Sequence, residues 1–173
     1  MSYIDDNCKI LRQRRQCAGG GLMVWGMVMP NGLISILFLE KSFNAQKYVD
    51  VLKNFAIPIC RLNFRRFLLM HDNASVHTAK VVKDFMAQND VYTLEWPAKS
   101  PDINLMENIW HLMSNEVYKG QQPINLKDLR DKIIKSVNVI NSTKRQTISS
   151  LYGSIRKRLT KILQTGGNIY NNE

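Results

Sequence analysis

Four apolar residues, Phe67, Leu68, Leu69 and Met70, run directly into His71-Asp72-Asn73. The run is too short for a helix and reads as a buried strand. A buried strand needs a sheet around it and layers above and below. The same run delivers a carboxylate, Asp72, to a strand's carboxyl end. A second carboxylate, Glu107, falls at the start of an amphipathic helix read over 104–118. Two carboxylates on rigid neighbouring elements suit a hard divalent cation such as Mg²⁺, which takes oxygen ligands and keeps waters and phosphate in its shell. Paired ions of this kind activate the attacking oxygen and stabilise the leaving one in phosphodiester chemistry.

The rest of the chain supplies such a sheet. Leu22 to Met29 (LMVWGMVM) reads as a strand, Pro30-Asn31-Gly32 as a turn and Leu33 to Leu39 as the returning strand. Tyr48, Val51, Leu52 and Phe55 repeat at helical spacing, with Asn44 as N-cap and Pro58 closing the helix. A helix is expected over 77–89, a strand over 91–96 stopped by Pro97, and helices over 126–139 and 142–163. Residues 1–18 carry no helical or alternating pattern and read as a basic lead-in loop, ended by Gly19, Gly20 and Gly21. The chain thus divides into a lead-in (1–18), a core (19–120) and a helical C-terminal extension (121–173).

Three words, HDNASVHTA, WPAKSPDINLMENIW and VWGMVMPNG, carry a resemblance. At their positions and spacings they resemble the catalytic domain of mariner-type (Tc-like) DDE transposases, N-terminally truncated. The resemblance runs from about Gly19 to the C-terminus. It implies an α/β, ribonuclease-H-like mixed sheet flanked by helices, with a five-stranded order whose first, central strand is missing here. It implies DNA-mediated transposition, by metal-dependent strand cleavage and transfer. Asp72 matches the family's second acid and Glu107 its third, so both are the expected catalytic residues and ligands of Mg²⁺ or Mn²⁺. The family's proline after the helix-capping Asn is Leu105 here. The first acid has no match. Asp5 and Asp6 lie in SerTyrIleAspAspAsn, which lacks the apolar character of a central strand, and neither is taken as a ligand. A site short of one carboxylate is expected to lose roughly a thousand-fold or more in rate, so impaired transposition is expected. The alternatives are a repurposed nucleic-acid-binding or self-associating protein without catalysis, and a non-functional fragment of a decayed element.

Each acid also has a purely structural explanation. Asp72 and Asn73 are ordinary turn formers after a strand. Asn104 and Glu107 stand at the positions of a capping box. His71, His77 and His111 lack a cysteine or further acid at zinc-ligand spacing, and Trp25, Trp96 and Trp110 adjoin apolar runs and read as core.

The formal net charge is +10, which predicts a polyanionic partner, most simply DNA. Arg12, Arg14, Arg15, Lys99, Arg156, Lys157 and Arg158 are the expected phosphate contacts. Residues 1–18 carry no helix-turn-helix pattern, so sequence-specific recognition is not expected of them. A homodimer is a further expected partner state; a membrane or a small-molecule cofactor is not expected. Cys8, Cys17 and Cys60 form no CxxC pair and read as reduced thiols. Action on DNA, with the basic cluster at 12–15, gives the nucleus as the expected location.

Overall fold

The computed structural model describes residues 2–12, 21–40, 42–93 and 104–164, with side chains over 21–40, 42–93 and 104–154. Its centre is a five-stranded sheet. The strands are β1 (Ser2–Arg12), β2 (Gly21–Val28), β3 (Ile34–Leu39), β4 (Phe67–Met70) and β5 (Tyr92–Thr93), in the spatial order β3-β2-β1-β4-β5. β2 and β3 form the expected hairpin, with Gly32 at φ +78° in its turn.

The expected loop over 1–18 and the missing central strand are both corrected here. Ser2–Arg12 is itself the central strand, antiparallel to β2 from Asp5↔Val28 to Arg12↔Gly21 and parallel to β4 from Ser2↔Phe67 to Asp5↔Met70. β4 supplies its backbone partners along Ser2–Asp5 and β2 along Asp5–Arg12, and such pairing leaves no periodic mark in the strand's own sequence. Hydropathy was therefore the wrong signal for this segment.

Among the described residues, seven α-helices are interleaved with or follow the strands: α1 (Ala45–Val51), α2 (Ile57–Asn63), α3 (Ser75–Thr78), α4 (Lys80–Gln88), α5 (Leu105–Val117), α6 (Leu126–Thr143) and α7 (Arg145–Gln164). Pro58 does not close the first helix. A π turn over Leu52–Ala56 joins α1 to α2, placing Pro58 in the first turn of α2. There its missing N–H matters least, and the wider turn re-registers the hydrogen bonds before it. The helix expected over 77–89 is split at Ala79, whose ψ of 145° separates α3 from α4. Only Tyr92–Thr93 of the strand expected over 91–96 is strand within the described residues.

Two cores sandwich the sheet. One joins Val24, Val28 and Ile34 to α5, α6 and α7 through Met106, Trp110, Ile133 and Tyr152. The other joins Trp25, Met27 and Leu69 to Tyr48, Leu52 and Val82 on the opposite face. Alternation along β2 divides the sheet in this way, since successive side chains point to opposite faces. Trp25 and Trp110 are fully buried, as expected of core. No described helix is long and apolar enough to cross a membrane.

Candidate active site

Asp72 leaves β4 as expected. Its Oδ1 accepts the Ala74 amide at 2.9 Å, an Asx-type turn, and the Nδ1–H of His77 at 2.8 Å. The turn and the presentation of a carboxylate therefore coexist. Oδ2 has no hydrogen-bond partner among the described residues, and the side chain is 38% exposed. The His77 hydrogen bond, aided by the Ala74 amide, holds the Asp72 carboxyl below its usual range against the opposing effect of burial. The group is thus a preformed anion with one oxygen anchored and one oxygen open.

His77 does more than open a helix. Its side chain is buried, stacked on His71 with ring centroids 5.0 Å apart and set 4.5 Å from the Tyr48 ring. The Tyr48 hydroxyl and His71 Nδ1 are hydrogen-bonded at 3.0 Å. Burial, then the neighbouring His77, pushes the His71 pKa down to about 4, with Asp72 pulling weakly the other way. His71 is therefore neutral near pH 7. Sequence reasoning missed this Tyr48–His71–His77 wall. The two histidines inside HDNASVHTA, His71 and His77, were the one local signal, but Tyr48 comes from a distant helix.

Glu107 stands in the first turn of α5, exposed. Asn104 caps this helix, its Oδ1 accepting the Met106 amide at 2.9 Å. The carboxylate lies in the first turn, near the positive end of the helix dipole. Leu105, where the family has proline, is buried and starts the helix without it.

The sheet brings a third acid to the same end. Asp5 is in register with Met70, two residues before Asp72, and with Val28 on its other side. Val28 belongs to the core under α5, whereas Leu69 belongs to the opposite one. By alternation, positions 5 and 70 lie on the α5 face, and Asp6, in register with Met27, lies on the other. Sequence reasoning set Asp5 aside, because only the pairing of β1 reveals its place.

Among the expected phosphate contacts, Arg12 ends β1 opposite Gly21, and Arg156, Lys157 and Arg158 belong to α7, far along the chain. Arg14, Arg15 and Lys99 lie outside the described residues. No group of three or more metal-ligating side chains occurs among residues with described side chains, which do not include Asp5.

Residues 2–130 match the family model described as DDE superfamily endonuclease. This chain belongs to the DDE superfamily, in its Tc1/mariner branch. It is 30% identical over 160 residues to the Tc3 transposase of Caenorhabditis elegans, covering 91% of this chain and 48% of that protein. It is 26% identical to the Tcb2 transposase of Caenorhabditis briggsae, over 86% of this chain and 54% of that one. The chain thus spans about half the length of the curated relatives it matches. Its fold resembles the catalytic domain of the Mos1 mariner transposase, with a TM-score of 0.77 over 98% of this chain and 84% of that one at 17% identity. Structures of that domain carry raltegravir with Mg or with Mn, and Mos1 is also solved as a paired-end complex. The ribonuclease-H-like sheet expected from sequence is therefore the observed one.

Proposed function

We propose that this chain is the catalytic domain of a transposase that cleaves DNA and joins its strands with divalent metal, using Asp5, Asp72 and Glu107. The observation that carries the reading is the register of β1, in which Asp5 pairs with Met70, two residues before Asp72. The family membership supports the reaction, and the Mg- and Mn-bound Mos1 structures support the ion. The donor set fits a hard cation: Asp72 offers an oxygen with no partner among the described residues, on a carboxyl held below its usual pKa range, and Glu107 is an exposed carboxylate. When bound, such ions would lower the pKa of attacking water and neutralise charge on the scissile phosphate. The chain's own part is positional. His77 and the Ala74 amide fix the Asp72 carboxylate, α5 fixes Glu107, and neutral His71 adds no competing cation beside them.

The expected impairment rested on a missing first acid. With Asp5 in place, metal-dependent cleavage is the favoured outcome. DNA is the partner, with Arg12, Arg14, Arg15, Lys99, Arg156, Lys157 and Arg158 as candidate phosphate contacts, and the paired-end complexes of Mos1 support a homodimer on DNA. Such a substrate places the protein's action in the nucleus.

Nicking of supercoiled DNA by the purified chain in Mn²⁺ tests the reading. Asp72→Asn, Glu107→Gln and Asp5→Asn are each expected to lower the rate roughly a thousand-fold or more, while Asp6→Asn retains it. Metal-independent binding with no nicking by the unaltered chain would favour a binding protein instead. Nicking that survives Asp5→Asn would remove that residue from the site.

A further inference from the structure

A cleft of about 540 Å³ opens at the β5 edge of the sheet, lined by Arg61, Arg65, Arg66, Phe67, Asp90 and Tyr92. All three arginines are exposed, and none forms an ion pair with a described carboxylate. Arg61 is anchored by donating to the Asn89 carbonyl at 2.8 Å. Among the described residues Asp90 is the one carboxylate lining the cleft, against three arginines. Like charges gathered together raise the local potential, which concentrates anions there. Beside them Tyr92, on the edge strand, is 63% exposed, an unusual display for a large aromatic side chain.

The cleft does not stand alone. A second one, of about 640 Å³, shares Asp90 and Tyr92 with it and reaches Lys83, His71, Asn73 and His77. Together they make a trough along the sheet edge, from the neighbours of Asp72 to the arginines. Arg66 and Asp72 bracket β4 (Phe67–Met70) and are at most roughly 20 Å apart at strand rise. That is about six nucleotides of a stacked strand.

We propose that this trough holds a single DNA strand running between the acid site and the arginine cleft. The Arg61, Arg65 and Arg66 guanidiniums bind its phosphates, and Tyr92 stacks an unpaired base. Aromatic stacking beside a basic groove is how unpaired strands are held without sequence preference. The proposal rests on the nuclease reading only for where the strand leads; binding is tested without metal.

The test is fluorescence anisotropy of the full chain with a dye-labelled oligodeoxythymidylate and with its duplex, in EDTA, across a salt series. Replacing the three arginines together (Arg61→Gln, Arg65→Gln, Arg66→Gln) should weaken single-strand binding. It should also flatten the plot of log affinity against log salt by about two, at roughly 0.7 per phosphate contact. Tyr92→Ala should lower single-strand affinity about fivefold or more with the salt slope unchanged, and affect the duplex less. Thermal melting of each variant confirms the fold. Asp72→Asn should bind like the unaltered chain, so a failure of the nuclease reading leaves this result standing. Unchanged affinity and slope in the arginine variant would overturn the proposal, as would a Tyr92→Ala variant that binds the single strand normally.

Discussion

One oxygen of one carboxylate shows how the site is prepared. Asp72 Oδ1 is held by a backbone amide and by a buried imidazole, while Oδ2 remains open. His77→Leu keeps the volume but removes the donor. It should raise the Asp72 pKa toward the ordinary carboxylate value and cost roughly 1.5–3 kcal/mol, the range for a hydrogen bond to a charged group. Urea unfolding measures the cost, and titration followed by NMR of the Asp72 carboxyl measures the shift. His71 makes a pH prediction. Its folded pKa is about 4 against an ordinary 6.5, so the unfolded chain takes up its proton first. The stability it contributes is complete above pH 6.5 and is lost as pH falls toward 4, to a total of roughly 3 kcal/mol. Asp72, also lowered, adds a loss below its ordinary value of 3.8. Stability should therefore fall steadily between pH 6.5 and 4, and His71→Gln should flatten that slope. A slope unchanged in the variant would assign the loss to other groups.

The helix that carries Glu107 is placed by a glycine. A Cβ built on Gly26 would lie 2.8 Å from Trp110 Cη2 and 2.9 Å from Met106 Cε, both on α5. β2 and α5 therefore pack closer than any side chain at position 26 allows. Gly26→Ala should force α5 outward, at a cost of about 1–3 kcal/mol. Nicking should fall with it, because Glu107 rides on the same helix. Denaturant midpoints and nicking rates, measured together, check this, and a variant of normal stability and activity would mean that Trp110 simply rotates aside. Asn44, Asn104 and Asn125 cap α1, α5 and α6 through their side chains, so these starts are local in origin. The π turn before Pro58 and the break at Ala79 are not, since the helical spacing of apolar residues runs on through both.

At the scale of the molecule, the C-terminal helices are tied to the hairpin. Asn141 pairs with both the N–H and the C=O of Ile34 at 2.9 Å, occupying part of the exposed β3 edge as a strand would. Ser149 donates to the Pro30 carbonyl at 2.8 Å and Tyr152 to the Val28 carbonyl at 2.6 Å. Val28 is the residue in register with Asp5, so α7 supports the strand that flanks the first candidate acid. Tyr152→Phe should cost about 1 kcal/mol and lower the Tm by about 2–4 °C for a chain of this size. Calorimetry decides it, and an unchanged Tm would show that the Val28 carbonyl finds another donor.

The sequence alone determined the local features: the apolar run that delivers Asp72, the hairpin around Asn31-Gly32, the capped helix that carries Glu107, and the family words around them. Each rests on neighbours a few positions apart, where periodicity and turn chemistry suffice. Tertiary structure decided what depends on distant partners. Ser2–Arg12 is a strand because β2 and β4 pair with it from both sides, and its polar side chains gave no sign of that. Position 5 thereby comes into register with Met70, two residues before Asp72, Tyr48 reaches His71 from a distant helix, and Arg61 joins Arg65 and Arg66 beside Tyr92. The physical reason is the same throughout. Backbone pairing and side-chain clustering reward contacts whose sequence separation leaves no local trace.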